Sequence, residues 1–152
     1  VFDFKLTEGA NSGVKYFVNE TYNSGMSAIG LEYQVLDDEK HPDAKLGTVG
    51  NRTLASLYDI IPSNKNDKRF QKKIGEWNQG RIIVYPNNIV QHWLNGFKVI
   101  EYERKSNIYK VLVAHSKHAK WDGYGAQDKG AILFQEHGDS VFYKNIKIRE
   151  IN

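Results

Sequence analysis

Two pairs of polar side chains in this sequence have the types and spacing to bind a sugar and to move protons. Glu32 and Gln34 alternate along one segment with the apolar residues Leu31, Tyr33 and Val35, so the pair shares one face of a predicted strand. Gln135 and His137 share a face in the same way. If both strands cover one concave surface, the carboxylate, imidazole and amides converge and can bind hydroxyl groups and transfer protons. A polar sheet face turned to solvent explains the same pattern, and pattern alone favours it.

A second candidate site follows the first polar strand directly. Asp37, Asp38, His41 and Asp43 could hold Ca²⁺ or Mg²⁺ through carboxylate oxygens and one imidazole, with Asp37, Asp38 and His41 as the predicted ligands. Turns that Asp side chains form before Pro42 explain the same residues, and we favour the turns. No motif in the sequence requires a cofactor.

The remaining histidines and the tryptophans have competing interpretations. His115 and His118 stand three residues apart near lysines, a pattern typical of exposed side chains without a ligand. Trp77, Trp93 and Trp121 can each stack on a pyranose ring, although packing at the core or its edge is the more common role. Of the three, we take Trp77 as a candidate for substrate binding.

The elements that must position these residues are mostly β-strands. Aromatic and β-branched residues fall in short alternating runs bounded by Gly, Asn, Asp and Pro. We predict strands at 1–7, 13–18, 28–36, 54–59, 80–86, 89–95, 97–103, 130–136 and 140–150. Consecutive strands with long connections favour an all-β sandwich or jelly roll.

Turns and loops complete this organisation. Pro86-Asn87-Asn88 and Asn95-Gly96 supply positive φ between apolar runs, which predicts a meander over about 80–103. The polar segments 37–53 and 60–76 are predicted loops, and a short helix is expected within 104–118.

Composition bounds the remaining possibilities. The chain has 152 residues, no cysteine, and 21 Lys and Arg against 18 Asp and Glu. The net charge of +3 is too small and dispersed to predict a nucleic-acid partner. No apolar stretch approaches the ~20 residues that a membrane-spanning helix needs. We expect one domain over 1–152 that begins within a strand.

Several motifs, in order, resemble those of the 3-keto-disaccharide hydrolase domain family. They are Asn11-Ser12-Gly13-Val14-Lys15-Tyr16-Phe17, Glu32-Tyr33-Gln34-Val35-Leu36-Asp37-Asp38, His41-Pro42-Asp43, Leu57-Tyr58-Asp59, Gly75-Glu76-Trp77-Asn78, His92-Trp93-Leu94-Asn95-Gly96, Gln135-Glu136-His137-Gly138 and Asn145-Ile146-Lys147-Ile148. The likeness covers nearly the whole chain.

This resemblance implies a fold and a setting. The family fold is a concanavalin A-like jelly roll of two curved antiparallel sheets, and family members are exported by glycan-degrading bacteria to the periplasm, cell surface or medium. The family's first strands, ahead of the region of Phe2-Asp3-Phe4, have no counterpart in this sequence. The family usually carries Arg where this chain has Lys144 and Asp where it has Glu136.

The resemblance also implies an activity, the hydrolysis of 3-keto-glycosides. A ketone at C3 acidifies the C2 hydrogen, so that removal of this proton, elimination of the C1 substituent and addition of water give net hydrolysis. We expect acid and base function from Glu32 and His137, and substrate binding by Asn11, Gln34, Tyr58, Trp77 and Gln135. A separate sugar 3-dehydrogenase would make the ketone. The alternative is a lectin-like module that binds carbohydrate without turnover.

Overall fold

The described strands form two antiparallel sheets. A computed structural model describes residues 1–23 and 28–151. Its strands are β1 (Phe2–Leu6), β2 (Asn11–Asn23), β3 (Ala28–Leu36), β4 (Asn78–Val84), β5 (Ile89–Leu94), β6 (Phe97–Glu103), β7 (Ala131–Phe134) and β8 (Val141–Lys144). One sheet has the order β6-β5-β4-β1-β8 and the other the order β3-β2-β7. The connections include helix α1 (Asn107–Ala114) and 3-10 segments at Pro42–Lys45, Lys68–Phe70 and Lys117–Lys120.

The hydrophobic core lies between the two sheets, as the period of two in the sequence requires. Phe2, Phe4 and Leu6 of β1 are buried, whereas the residues between them are half-buried on the opposite face of the strand. Tyr33 and Val35 of β3 pack against this row from the other sheet. The Tyr33 hydroxyl also donates to the Trp93 carbonyl at 3.1 Å, which links the sheets directly. The prediction of an all-β sandwich is confirmed.

The predicted meander is also confirmed. β4 pairs with β5 and β5 pairs with β6, both antiparallel. Asn88 adopts a φ of 68°, Asn95 a φ of 50° and Gly96 a φ of 85°, which are the positive φ values predicted for these turns. The predicted helix is α1, which begins after Ser106, whose hydroxyl accepts from the Tyr109 amide at 3.1 Å.

Two strand predictions need correction. Residues 54–59 form turns instead of a strand, because Ala55 and Asp59 have φ values of 64° and 61°, which an extended strand does not allow. Leu57 within this segment makes isolated bridges to Tyr33 and Ile61. The predicted strand at 140–150 shortens to β8, since Asn145 has a φ of 51° directly after it.

The helical content of the described residues is small. Over residues 1–23 and 28–151, no helix combines the length and the apolar character that crossing a membrane would take.

A buried chain of hydrogen bonds joins the two sheets through His92. The imidazole Nδ1 lies 3.0 Å from the Ala55 carbonyl oxygen, which can only accept, so Nδ1 carries the proton. Nε2 therefore accepts from the Tyr16 hydroxyl at 2.8 Å, and the Tyr16 oxygen in turn accepts from the Tyr102 hydroxyl at 2.9 Å. Burial lowers the pKa of His92 to about 4, which keeps the ring neutral.

We expect Tyr16→Phe to destabilise the protein by about 1–3 kcal/mol, because it leaves a buried acceptor on His92 without its donor. Denaturant unfolding followed by fluorescence measures the change. The control is Tyr85→Phe at a residue that is 36% exposed, for which a change within about 0.5 kcal/mol is expected. Equal stability of the two variants would contradict the role given to this chain of hydrogen bonds.

Candidate active site

A cleft of about 780 Å³ lies on the face of the three-stranded sheet that points away from the core. Along β2, Ser12, Val14 and Tyr16 are buried on the core side, so Asn11 and Lys15 project into the cleft. Along β3 the same alternation directs Glu32 and Gln34 to it. The lining residues are Asn11, Lys15, Ala28, Ile29, Gly30, Glu32, Gln34, Tyr58, Lys117, His118, Lys120, Trp121, Tyr124, Leu133, Phe134, Gln135, Glu136 and His137.

One wall of the cleft is the irregular segment 55–58, which runs along the free edge of β3. The Ala55 amide donates to the Gln34 carbonyl at 2.8 Å, the Gln34 amide to Ser56 at 3.1 Å, and the Tyr58 amide to the Glu32 carbonyl at 3.0 Å. The segment therefore satisfies edge groups of β3 that would otherwise lack partners. It also fixes Tyr58 beside Glu32.

A second wall comes from residues 117–124, which adjoin Tyr58 of the first wall. The His118 ring stacks on Tyr124 with centroids 4.2 Å apart, and its Nε2 donates to the Tyr58 carbonyl at 3.3 Å. The Tyr124 hydroxyl donates to the Gly30 carbonyl at 2.7 Å. Burial and the nearby Lys117 lower the pKa of His118 to about 4, so this histidine is neutral in the cleft.

Glu32 forms the floor of the cleft and is 6% exposed. Its Oε2 lies 3.8 Å from the Lys15 ammonium. Gly13 makes room for it, since a Cβ there would overlap Glu32 Oε1 and lie 3.0 Å from Gln135 Oε1. Burial raises the pKa of Glu32 to about 7, against the opposing effect of Lys15 and Lys117. The carboxyl group can therefore take up and release a proton near neutral pH.

Three amide oxygens around Glu32 are buried without a hydrogen-bond partner. Among the described residues, nothing donates to Asn11 Oδ1, Gln34 Oε1 or Gln135 Oε1. Buried acceptors are normally satisfied, so three in one cleft indicate a place for ligand hydroxyl groups. The ligand they suit carries several hydroxyl donors.

A network of charged groups holds the Tyr58 wall. The Tyr58 hydroxyl donates to Asp43 Oδ2 at 2.7 Å, and Arg52 donates to Asp43 Oδ1 at 2.8 Å. Arg52 Nε also donates to Asp59 Oδ1 at 2.5 Å, and Asp59 Oδ2 accepts from the Lys117 amide at 2.7 Å. The network thus ties both walls of the cleft together.

The structure brings most of the predicted site residues together. Glu32, Gln34, Gln135 and His137 all line the same cleft, with Asn11 and Tyr58 also in the lining. His137 is exposed at the rim, whereas Glu32 is buried at the floor. Their roles in binding and catalysis stay predictions.

Trp77 lies elsewhere. It precedes β4 and is 37% exposed, with the ammonium groups of Lys144 and Lys5 at 3.9 and 5.3 Å from its ring. Lys5 belongs to the β1 face opposite the core, so Trp77 packs on the outside of the five-stranded sheet and is not part of the cleft lining. Trp121 lines the cleft instead. Lys144, which stands where the family usually has Arg, also lies on this outer face.

The predicted metal ligands are occupied with other contacts. The Asp37 carboxylate accepts from the amides of Gly9, Glu39 and Lys40 at 2.8 to 3.2 Å, and these bonds lower its pKa against the effect of burial. Asp38 accepts from the Leu54 amide and pairs with Lys65. His41 Nδ1 accepts from the Asp43 amide at 3.1 Å. These residues do not fit a metal, and the described part of the chain holds no cluster of three or more His, Cys, Asp or Glu placed to bind one.

No role at this site was predicted from the sequence for Lys15, Gly13, Lys117 or His118. Lys15 is in phase with Asn11 on β2, a signal that the alternation of the strand did contain. Gly13 occupies the position between them on the same face. Lys117 and His118 lie in a 3-10 segment far along the chain, and no local pattern marks them as neighbours of Glu32.

Comparisons with known proteins identify the family of this chain. The family model described as the 3-keto-alpha-glucoside-1,2-lyase-like domain matches residues 1–149. The chain belongs to this family. It is also 36% identical over 169 aligned positions to a 3-keto-disaccharide hydrolase of Bacteroides thetaiotaomicron, covering 99% of this chain and 57% of that protein. The chain thus spans little more than half the length of this relative.

Solved structures support the fold. A crystal structure from Parabacteroides distasonis, of a candidate glycosyl hydrolase, aligns with a TM-score of 0.78 and 27% identity over 95% of this chain and 67% of that one. A second candidate glycosyl hydrolase from the same organism aligns with a TM-score of 0.64 and 25% identity over 99% and 76% of the two chains. Both likenesses are consistent with the predicted jelly-roll sandwich.

The buried Glu32 predicts a stability that depends on pH. The pKa of Glu32 is about 7 in the folded protein, against 4.5 for an ordinary glutamate side chain in water, so between these values only the folded state binds the proton. The free energy of unfolding therefore falls as pH rises through the window. Glu32→Gln has no carboxyl group to titrate and should not show this fall. Its free energy of unfolding, relative to that of wild type, should therefore increase by about 1–3 kcal/mol between about pH 5 and pH 8.

Chemical denaturation of both proteins at the two pH values measures this gain. Glu103→Gln is the matched control, because Glu103 is exposed at the end of β6. A constant stability difference between Glu32→Gln and wild type across the window would show that the carboxyl group is not protonated there.

Proposed function

We propose that this chain carries the active site of an enzyme that hydrolyses 3-keto-glycosides. The observation that carries the proposal is Glu32, a buried carboxyl group whose pKa is raised to about 7 and which faces three unpartnered amide oxygens. A base with a pKa near the working pH is the most effective kind for removing a carbon-bound proton. Membership of the lyase-like family and the name of the Bacteroides relative point to the same substrate class.

The reaction begins at C2 of the keto sugar. The Glu32 carboxylate removes the C2 proton, which the neighbouring C3 ketone acidifies, and an enolate forms. The enolate then expels the C1 oxygen substituent. Addition of water at C1 of the resulting enone, with return of a proton to C2, completes a net hydrolysis. Unlike ordinary glycosidases, this route needs no pair of carboxylates flanking the bond.

His137 is the proposed acid for the leaving group. Both residues line the same cleft, His137 at the exposed rim and Glu32 at the floor, so the two groups can act on one bound sugar. An imidazole can serve as a general acid when it is within reach of the leaving oxygen. The leaving alkoxide at C1 would receive its proton from this ring.

Substrate positioning falls to the amides and to Tyr58. Asn11 Oδ1, Gln34 Oε1 and Gln135 Oε1 can accept from sugar hydroxyl groups. The Tyr58 hydroxyl already donates to Asp43, so its oxygen is available as a further acceptor.

The pathway around this reaction follows from its chemistry. The C3 ketone requires a prior two-electron oxidation of the glycoside, which we assign to a separate sugar 3-dehydrogenase. We further propose an exported location in the periplasm, at the cell surface or in the medium, as the resemblance implies.

The substrate class is tested with matched glucosides that differ only at C3. We expect the 3-keto-glucoside to release its C1 substituent and the unoxidised glucoside to be inert, because its C2 hydrogen is too weakly acidic for a side-chain base. The measurements are leaving-group release and exchange of the C2 hydrogen in D₂O. Binding of the keto sugar with neither release nor exchange would favour the lectin-like alternative.

Two substitutions test the proposed acid and base. Glu32→Gln and His137→Ala should each slow turnover by about 10²–10⁴, with substrate binding less affected. His115→Ala is the control for the histidine, since His115 is exposed on the end of α1 away from the cleft lining. Full activity in both site variants would discard these assignments.

The pH dependence tests Glu32 as the base. Only the ionised carboxylate can accept the proton, so the rising limb of kcat/KM against pH should have its midpoint near 7, the pKa of Glu32. The charged groups facing it are Lys15, Lys117 and Asp43. Loss of Lys15 in Lys15→Met should move the rise to higher pH, since its charge holds this pKa down. A rise that stays fixed in Lys15→Met would exclude Glu32 as the group that titrates.

A further inference from the structure

Three lysines reach the cleft, and they differ in what they already contact. Lys15 is 6% exposed, and its ammonium group lies 3.8 Å from Glu32 Oε2 and donates to the Ala28 carbonyl at 3.2 Å. Lys117 is exposed to the cleft, and within the described residues no carboxylate lies within ion-pair distance of it. Lys120 lies at the outer edge beside Trp121, with 5.1 Å from its ammonium group to the ring. Lys117 differs from Lys120 in that it contacts Tyr58 and lies near enough to Glu32 for its charge to act on that carboxyl group.

The position of Lys117 is nevertheless fixed. Its backbone amide donates to Asp59 Oδ2 at 2.7 Å, and Arg52 holds Asp59 through the other carboxylate oxygen. Its ammonium group lies 3.9 Å from the centre of the Tyr58 ring. An aromatic face attracts a cation, so this contact favours the charged amine, whereas burial lowers the pKa of Lys117 and the nearby Glu32 opposes that effect. The main chain and the head of the side chain are thus both positioned at the wall that adjoins Glu32.

Enolate formation creates a charge that Glu32 cannot stabilise. When the carboxylate takes the C2 proton, the electrons of the C2–H bond form a C2–C3 double bond and those of the C3 carbonyl move to its oxygen. The negative charge leaves Glu32 and appears on O3 of the sugar. A preorganised donor or cation at the place where such charge develops typically contributes about 10²–10³ in rate.

We propose that Lys117 is a catalytic residue that binds O3 of the keto sugar through its ammonium group and stabilises the enolate oxygen. This inference rests on the proposed function. Lys15 has the separate task of keeping Glu32 ionised, because it is already engaged with that carboxylate. When the C3 carbonyl forms again, the electrons of the enolate form the C1–C2 double bond, the C1–O bond breaks, and the leaving oxygen takes a proton from His137. Addition of water then returns one proton to C2 from Glu32 and one to His137.

The test combines truncation of Lys117 with chemical rescue. Lys117→Ala should lower kcat for the 3-keto-glucoside by about 10²–10³ and slow C2 hydrogen exchange by a similar factor, with KM changed less. Added ethylammonium should restore part of both rates in a saturable way, which a purely structural defect would not allow. Lys110→Ala, on the exposed side of α1, is the matched control and should behave as wild type with and without the amine.

The outcomes separate this inference from the proposed function. Wild type that neither releases the leaving group nor exchanges C2 hydrogen overturns both. Wild type that turns over while Lys117→Ala keeps full exchange overturns the role of Lys117 alone. Borohydride reduction that attaches the sugar covalently to Lys117 would replace the ammonium role with a Schiff base. If the Ala variant fails to fold, Lys117→Arg, which keeps the charge, should retain more exchange than Lys117→Gln, and equal loss in the two would also overturn the inference.

Discussion

The hydrogen bonds between β3 and the segment 55–58 are the constraint on which the site depends. They cover the free edge of a strand whose two faces are both buried, one in the core and one in the cleft. Without this cover, the edge amides and carbonyls near Glu32 would face water, and the carboxyl group would lose the dry surroundings that raise its pKa. The irregular shape of the segment matters as well. The positive φ at Asp59 ends the contact with β3, and the Asp59 carboxylate accepts from the Lys117 amide of the neighbouring wall.

The same arrangement sets stability against function. Burial of the ionised Glu32 carboxylate at neutral pH destabilises the folded state. Lys15 offsets this cost only in part, because its ammonium group is 3.8 Å away and is itself buried. The neutral His92 network costs less, since each of its polar atoms has a partner. The His92 network is therefore satisfied, whereas the cleft keeps three unpartnered amide oxygens, those of Asn11, Gln34 and Gln135, which we propose for ligand binding.

Much of the fold was predictable from local patterns, and the limits have physical causes. The alternation of apolar and polar residues predicted that Glu32 and Gln34 share one face, because the period of two in a strand is a local property that does not depend on distant contacts. Asn88 and Asn95 marked their turns because Asn tolerates positive φ. Residues 54–59 have the apolar character of a strand, but their backbone hydrogen bonds to β3 require turns. No residue type in this segment indicates those turns. Lys117 approaches Glu32 through contacts with Tyr58 and Asp59, 58 or more residues away along the chain, and such contacts leave no local signal.

The sign of the charge around Glu32 favours elimination over ordinary glycoside hydrolysis. Ordinary glycosidases pass through an oxocarbenium-like transition state, which gathers positive charge on the sugar ring and is stabilised by a pair of carboxylates. This cleft, the proposed sugar site, is lined by Lys15, Lys117 and Lys120 with one buried carboxylate, Glu32, and the exposed Glu136. Three cations would destabilise a sugar ring that gathers positive charge and would stabilise one that gathers negative charge. An enolate is negative where an oxocarbenium ion is positive, so the electrostatics of the cleft and the chemistry of a 3-keto sugar require the same sign of charge.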